Sequence, residues 1–544
     1  MLFCCTFAAQ KTDKNDMENK ITLFKQHIEQ GYACKGTHLV LGTAMLDGEA
    51  VEKTHVKIPL RLLNRHGLIA GATGTGKTKS LQVLAEGLAD NGIPVVLMDI
   101  KGDLSGLAAK GEHNPKIAER YAKIGLPYEP QGYSVELLSL SGEKGARLRA
   151  TVSEFGPVLF SKILELNDTQ SGVVAVLFKY CDDNRLPLLD LDDFKKALNY
   201  AISEGADEFA ELYGKISPAS ASTILRKVVE LEQQGADLFF GEPSFEVDDL
   251  CQLDDDCKGK ISVVRLTDLQ DRPKLFSTFM LSLLAEVYAS FPEEGDLDKP
   301  KLVFFIDEAH LLFNEASKAL LDQIENIVRL IRSKGVGIFF CTQKPSDIPE
   351  QVLAQLGLKI QHALRAFTAK DRQDIKQTAQ NYPDSAYYQT DEIITALGIG
   401  EALVTSLDEK GRPTPLAATL MCAPRSRMGI LTDTELQTLL RRSELVKKYS
   451  QTIDRESAHE ILTEKLKQRA QDLQDAADEE KDNEQPKQST KTTKKQDDPS
   501  LLESLSKNTM VRQIGNSVVK EVTRGLLGVL GLGGKSSSRK KGWF

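Results

Sequence analysis

The chain has 544 residues, which is enough for about two to four domains with a large buried core. Its hydrophobic content of 41% is ordinary for a folded protein, and its net charge of -9 gives no global attraction to nucleic acid. This charge argues against a protein that simply coats DNA. It does not exclude a locally basic channel, because binding depends on local phosphate contacts. The 8 cysteines show no metal or redox spacing, so reduced thiols and a cytoplasmic location are expected.

The N-terminal region does not fit a targeting segment. Met1–Ala9 lacks the basic stretch of a signal peptide, and Met17 is an alternative start of translation. A helical stretch at Ile21–Ile28 and a β-like stretch at Thr37–Gly42 follow. The most apolar C-terminal stretch, at 525–533, is far shorter than the roughly 20 residues that a spanning helix needs. No membrane span is therefore predicted.

The most specific motif is a glycine-rich loop that fits the phosphate-binding pattern G-x-x-x-x-G-K-[ST] at every fixed position. Its residues are Gly71, Ala72, Thr73, Gly74, Thr75, Gly76, Lys77 and Thr78. A buried strand at 66–70 leads into the loop, and an amphipathic helix at 79–88 leaves it. Lys77 would reach the β- and γ-phosphates and the Thr78 hydroxyl would bind Mg²⁺, so the motif predicts binding of ATP with Mg²⁺. The alternative is a chance glycine-rich turn.

A phosphate-binding loop of this kind needs a metal-holding acid on a neighbouring strand. The run 301–306 is apolar, as in a parallel strand covered on both faces, and two carboxylates follow it, Asp307 and Glu308. Asp307 is predicted to hold Mg²⁺ through water, and Glu308 to polarise the attacking water, which favours hydrolysis over a nucleotide switch. The alternative is an acidic helix cap after an ordinary core strand. His310 and His362 are expected to be structural histidines rather than ligands.

A third strand end carries a neutral amide. The apolar run 337–341 is followed by Thr342 and Gln343. Thr342 or Gln343 would project towards the γ-phosphate, where the neutral amide of Gln343 would sense the phosphate or orient water; the alternative is an amide that caps a loop. Cys341 is expected to be a small core residue.

The acidic turn Asp99–Asp103 follows another apolar run, at 93–98. In a parallel sheet this turn lies at the same edge as the phosphate loop. Asp99 or Asp103 would then bias the metal or the water, or Asp103 would cap the segment that starts at Leu104. The sequence leaves both readings open.

Four blocks together resemble the HerA/FtsK branch of P-loop ATPases: Gly71–Thr78, Asp99–Asp103, Ile306–His310 and Thr342–Ser346. Two further stretches resemble, more narrowly, the bacterial HerA-like proteins of the YjgR type: Arg149–Pro157 and Leu407–Thr414. The resemblance covers roughly residues 35–440. It implies an α/β fold with a RecA-like core and a mostly parallel sheet, assembled as a hexameric ring of identical subunits. It also suggests ATP-driven movement of DNA.

The resemblance also implies an arginine supplied by the next subunit, a contribution worth several orders of magnitude in rate. Candidates are Arg329 and Arg332 in a predicted helix at 324–332, and Arg365 at the end of a predicted strand at 359–365. Similarity to the branch favours Arg365. The alternative for each is an ordinary surface arginine.

Five parts are predicted along the chain. They are an N-terminal lead-in (1–63), the first part of the ATPase core (64–149), a mainly helical insertion (150–257), the second part of the core (258–440), and a charged linker with an amphipathic C-terminal tail (441–544). The insertion explains the 230 residues between Lys77 and Asp307. The linker is too charged to bury a core and is expected to be solvated, so the tail as a whole is predicted to be largely disordered or helical.

The sequence thus predicts an ATP-hydrolysing ring motor that translocates or remodels DNA. Catalytic roles fall to Lys77, Glu308, Gln343 and Arg365. The basic, amphipathic end of the tail would dock a partner protein, a membrane surface or nucleic acid, or pack on its own ring. Two alternatives remain: an ATP-driven machine that remodels protein, and a nucleotide-gated scaffold for a partner.

Overall fold

The computed structural model describes residues 2–140, 142–270, 272–295, 297–313, 318–451, 453 and 455–483. The chain divides into two units, residues 1–468 and 469–544. In the second unit the description covers only the end of one helix, up to Asn483. The predicted charged linker beyond that point and the amphipathic C-terminal segment lie outside the described residues.

The strands all belong to the first unit. They are β1 (His38–Leu46), β2 (Glu49–Pro59), β3 (Gly67–Ala70), β4 (Val95–Asp99), β5 (Val135–Ser139), β6 (Ala146–Arg147), β7 (Ile261–Arg265), β8 (Leu302–Ile306), β9 (Val336–Thr342), β10 (Leu358–His362), β11 (Glu401–Thr405) and β12 (Ala417–Met421).

The helices lie between and after these strands. They are α1 (Leu2–Gly31), α2 (Lys77–Asp90), α3 (Pro115–Ile124), α4 (Val152–Ile163), α5 (Asp168–Asp183), α6 (Leu191–Ile202), α7 (Ala206–Leu212), α8 (Pro218–Gln233), α9 (Pro273–Ser290), α10 (His310–Phe313), α11 (Lys318–Ile331), α12 (Glu350–Leu353), α13 (Ala369–Ala379), α14 (Thr390–Ala396), α15 (Asp433–Arg442), α16 (Glu444–Tyr449) and α17 (Ala458–Asn483). No helix in the described parts of the chain is both long and apolar enough to cross a membrane.

The strands form one sheet in the order β2-β1-β12-β11-β10-β3-β9-β8-β4-β7-β5-β6. In the part of this order that runs from β10 to β6, neighbouring strands pair in parallel. In the part that runs from β2 to β10, they pair antiparallel. The predicted α/β class with a mostly parallel sheet is confirmed. Because parallel strands point the same way, their carboxyl ends meet at one edge of the sheet.

The central strands are apolar on both faces because helices cover both faces of the sheet. Every residue of β4, β8 and β9 is buried. The predicted strand that reaches Arg365 is too long, since β10 ends at His362. The reason is that the chain leaves the sheet there: the Ala363 carbonyl accepts from the Ala72 N–H at 2.9 Å instead of continuing the ladder.

Between β6 and β7, in the region of the predicted helical insertion, the chain forms the helices α4–α8. The core of this region is aromatic, and the rings of Phe160, Phe178 and Phe194 pack with centroids 4.8–6.2 Å apart. On the far side of the sheet, the lead-in strands β1 and β2 join through β12. The five-part division of the chain stays a prediction.

Candidate nucleotide site

The glycine-rich loop connects the end of β3 to the start of α2. Gly71, Gly74 and Gly76 all have positive φ, at 153°, 78° and 118°, where glycine is strongly favoured. Space is limiting as well, because a Cβ on Gly71 would lie 2.5 Å from the Cβ of His362. The loop therefore needs glycine at these positions for both conformation and packing.

The side chain of Lys77 folds back into the glycine-rich loop. This side chain is buried, and its ammonium donates to the carbonyl oxygens of Gly71 at 2.7 Å and Ala72 at 3.2 Å. Burial lowers the pKa of Lys77, and the positive charge of Lys101 lowers it further. The carboxylates of Glu308 and Asp307 act in the opposite sense. The charges of the acids therefore act on the lysine across the site.

His362, the last residue of β10, holds the loop in place. Its Nδ1 lies 2.9 Å from the carbonyl oxygen of Glu401, and its Nε2 lies 2.9 Å from the Ser80 hydroxyl. Because a carbonyl only accepts, Nδ1 carries the proton and Nε2 accepts from Ser80. Burial lowers the pKa of His362 to about 4, which favours this neutral form. His362 is a structural histidine, as expected from the sequence.

Asp307 and Glu308 follow β8 directly and are 2% and 9% exposed. The sequence placed these acids on a strand next to the loop, but β9 lies between β3 and β8 and pairs with both. The expectation of direct adjacency is therefore wrong. Since the three strands are parallel, their carboxyl ends still share one edge, and the acids remain beside the loop.

The acid pair is incompletely partnered. In the described part of the chain, Oδ2 of Asp307 and Oε2 of Glu308 are buried without a hydrogen bond. Burial raises the pKa of Asp307, and the Glu308 carboxylate adds to this, while Lys101 opposes it. Glu308 also has a positive φ of 45°, which is uncommon for a residue other than glycine. Unsatisfied carboxylates and backbone strain concentrate at functional positions.

The donor set fits Mg²⁺. Carboxylate and hydroxyl oxygens are its usual protein ligands, and it keeps oxygens from phosphate and water as well. Asp307 offers a buried oxygen without a hydrogen bond, and Thr78 is the second residue of α2, at the loop. The described residues contain no group of three or more His, Cys, Asp or Glu that could hold a metal by themselves. Asp307 and Thr78 would therefore hold Mg²⁺ together with the nucleotide.

The turn after β4 answers the capping reading left open above, and the role of Asp99 or Asp103 toward the metal or water stays a prediction. The Asp99 carboxylate accepts from the N–H groups of Gly102, Asp103 and Leu104 at 2.7, 3.2 and 3.1 Å. Burial raises the pKa of Asp99 to about 6 despite these bonds. Asp103 caps nothing, because the helical turn that follows has no side-chain cap. Asp99 thus holds the turn, whereas Asp103 has a buried oxygen without a hydrogen bond within the described chain.

Lys101, in the same turn, is the residue that sequence reasoning missed. Its ammonium forms an ion pair with Glu308 and lies 3.6 Å from Oδ2 of Asp307. Burial alone would lower the pKa of Lys101, but the two carboxylates outweigh it and raise this pKa. The available signal was a lysine two residues beyond Asp99, at the edge that the acids share.

Gln343 lies exposed just beyond β9, at the sheet edge that carries the phosphate loop. The neighbouring Thr342 hydroxyl donates to Asp347 at 2.6 Å. Of the two polar residues at this strand end, Gln343 is therefore the one that faces solvent.

The candidate arginines do not lie together. Arg365 is on the same sheet edge as the loop, but its guanidinium donates to the carbonyl oxygens of Thr395 at 2.9 Å and Leu397 at 3.4 Å, at the end of α14. Arg329 and Arg332 lie at the end of α11 and just before β9. That position is the opposite edge of the sheet, away from the loop of the same chain.

A family model described as "Helicase HerA-like C-terminal" matches residues 45–537. The chain belongs to this HerA-like family. The resemblance to the HerA/FtsK branch is confirmed.

Relatives of this HerA-like chain are about a quarter identical to it over the aligned region. The "DNA double-strand break repair helicase HerA" of Sulfolobus acidocaldarius is 24% identical over an alignment of 374 residues that covers 64% of each chain. The "DNA import protein CedB" of the same organism is 24% identical over 372 residues, 65% of this chain and 52% of that protein. The HerA-like chain thus spans 64% of the length of this HerA relative. A solved structure, "Plasmid coupling protein TrwB in complex with ADP and Mg2+", is a distant likeness with a TM-score of 0.47 and 15% identity, over 73% of this chain and 98% of that one.

Proposed function

We propose that the protein is an ATP-hydrolysing motor that moves DNA and works as a hexameric ring of identical subunits in the cytoplasm. The observation that carries the proposal is the meeting of the Lys77 loop and the Asp307–Glu308 pair at one edge of the sheet. Membership of the HerA-like family and the printed names of the two relatives support DNA as the polymer.

Each residue at this edge has one proposed role in hydrolysis. Lys77 exchanges its bonds to loop carbonyls for the β- and γ-phosphate oxygens of ATP. Mg²⁺, held by Thr78 and Asp307, would neutralise charge on the phosphates. Glu308 takes a proton from water as the water oxygen bonds to the γ-phosphorus. The bond from that phosphorus to the β–γ bridging oxygen breaks, leaving ADP and inorganic phosphate.

Gln343 and an arginine complete the proposed site. Gln343 is exposed beyond β9 and would orient the attacking water. For the arginine in trans, the geometry favours Arg329 or Arg332 over Arg365. In a head-to-tail ring, each subunit presents to its neighbour's site a face other than the one that holds its own site. Arg365 lies at the sheet edge of its own site and is bound there by α14 of the same chain.

The decisive experiment measures ATP turnover with and without duplex DNA, at low and high salt, on protein whose mass in solution is known. We expect DNA to raise turnover, salt to weaken this stimulation steeply, and the mass to be six times 60.0 kDa. Lys77→Ala is the negative control, with nucleotide affinity lowered about 100-fold or more, because it loses charge-assisted bonds to phosphate.

Two outcomes would replace the proposal. Turnover that ignores DNA but rises with a copurifying protein would indicate a machine that remodels protein. Nucleotide binding without turnover, with a partner captured through the C-terminal segment, would indicate a scaffold.

A further inference from the structure

Lys101 occupies the place where the two acids need a positive charge. It is in the turn after β4, and β4 pairs directly with β8, the strand that ends at the acids. Its ammonium contacts both carboxylates, that of Glu308 in an ion pair and that of Asp307 at 3.6 Å. Its side chain is 37% exposed, so solvent lies on one side of it and the acids on the other.

Lys77 does not supply this charge, although it is close. Its ammonium is bonded to the carbonyl oxygens of Gly71 and Ala72. His310 approaches Glu308 at 3.3 Å from Nδ1 to Oε2, but it makes no contact with Asp307 among the described residues. Two adjacent buried carboxylates repel each other strongly without a counter-charge. Among the residues that the structure describes, Lys101 is the cation that contacts both.

A cation that pairs with Asp307 competes with any other cation for the same carboxylate. Asp307 is the residue proposed to hold Mg²⁺, so its pairing with Lys101 and its use as a metal ligand oppose each other. The pairing of Lys101 with Glu308 has a second effect, because the carboxylate oxygen that contacts the ammonium is not free to accept from water. Both contacts describe a resting state that is unsuited to hydrolysis.

We propose that Lys101 is a positioning residue that holds the Asp307–Glu308 pair in a charge-neutralised resting state and gives way when Mg²⁺ enters with the nucleotide. The inference rests on the proposed ATPase function and adds a regulatory step to it. Release of Lys101 frees Asp307 for the metal and Glu308 for water in the same event. Nucleotide loading and activation of the general base are thereby coupled.

The test uses the full chain and a fluorescent, non-hydrolysable ATP analogue. Its binding is titrated against Mg²⁺ and also measured in EDTA, for the unmodified protein and for Lys101→Met. Without the competing ammonium, the Mg²⁺ concentration for half-maximal binding should fall about three- to tenfold. Affinity in EDTA should fall in the same variant, because the site becomes more negative.

Two further variants separate this role from a structural one. Lys101→Arg keeps the charge and should restore the Mg²⁺ dependence of the unmodified protein. Lys344→Met removes a positive charge from the same sheet edge, but Lys344 pairs with Asp374 at 2.7 Å, so this variant should leave the Mg²⁺ dependence unchanged.

An unchanged or higher Mg²⁺ midpoint in Lys101→Met overturns the inference. Equal losses of affinity with and without Mg²⁺ also overturn it, because they would show that Lys101 binds phosphate directly. Failure of the unmodified protein to bind the analogue would instead refute the proposed ATPase function itself, so the two failures are distinguishable.

Discussion

The nucleotide edge of the sheet and the helical insertion differ in the kind of polar group that each leaves without a hydrogen bond. In the insertion, α4, α5 and α6 each begin with a reciprocal cap, in which the Ncap side chain and the third helical residue satisfy each other's N–H groups. At the nucleotide edge, Asp103, Asp307 and Glu308 each leave a buried oxygen without a hydrogen bond. Among the described residues, the insertion also has buried atoms without a hydrogen bond, at Ser161, Gln234 and Glu242, but at the nucleotide edge such atoms belong to three neighbouring acids.

This difference separates stability from activity. An aromatic-packed region with capped helices contributes to folding, whereas clustered buried carboxylates cost stability and are retained where chemistry requires them. Substitutions in the insertion should therefore change unfolding but not nucleotide handling. Substitutions among the acids should do the reverse.

The largest effect is expected for Glu308→Gln. Turnover should fall about 10²–10⁴-fold, because an amide does not accept the proton of the attacking water. Nucleotide affinity should persist, and the denaturation midpoint should change little, since the variant loses the ion pair with Lys101 but also removes one of two adjacent buried carboxylates. Steady-state ATPase rates, nucleotide titration and thermal unfolding measure the three quantities. A strongly destabilised variant would break the comparison.

Phe194→Ala tests the opposite region. Phe194 is fully buried among Phe160 and Phe178, so the truncation should cost about 3–5 kcal/mol of unfolding free energy. Nucleotide affinity of the folded fraction should not change. Denaturant unfolding gives the first quantity and nucleotide titration the second. Phe194→Leu, which keeps most of the volume, is the matched control and should lose much less. A weaker affinity at full folding would show that the insertion reaches the site.

Two buried histidines should make stability depend on pH. His66 accepts from the Ile338 N–H at 3.0 Å and donates to the Val328 carbonyl at 2.8 Å, so it must be neutral. Burial lowers the pKa of His66 and of His362 from 6.5 to about 4. The unfolded chain then binds more protons between these values, and stability is lost as pH falls from 6.5 toward 4.

The loss should reach about 3 kcal/mol for each histidine. Denaturant unfolding at a series of pH values measures it. In His66→Gln the amide can replace both hydrogen bonds, so the pH dependence should shrink. Stability that does not change between pH 7 and 5 would contradict the neutral assignment.

The smallest effect is expected for a single cap. The Asn167 side chain accepts from the Gln170 N–H at 3.0 Å at the start of α5. Asn167→Ala should cost about 1 kcal/mol of unfolding free energy and leave ATP turnover unchanged. Asn167→Asp keeps the acceptor and serves as control. Equal unfolding free energies for the Ala and Asp variants would mean that the cap does not stabilise the helix.

Local patterns were sufficient to predict the elements that hold the site. The apolar runs before Asp99, Asp307 and Thr342 correspond to β4, β8 and β9, and the loop motif implied the start of α2. These elements were predictable because strands buried on both faces and phosphate loops have strong local signatures.

Other features depend on contacts between distant residues. The position of β9 between β3 and β8 follows from pairing across the sheet, which spacing along the chain does not encode. The contact of Lys101 with Glu308 joins residues about 200 positions apart, and the anchoring of Arg365 depends on where α14 packs. A single lysine or arginine carries no local signal of its partner.

The central place of β9 restricts how the site can move. Its ladders to β3 and β8 hold the loop and the acids at a set separation, and widening that gap would mean breaking a row of buried hydrogen bonds. In the proposed ATPase cycle the three strands therefore act as a rigid frame. The mechanical work of the proposed motor then originates in the segments beyond the strand ends, where the Lys101 turn and Gln343 lie.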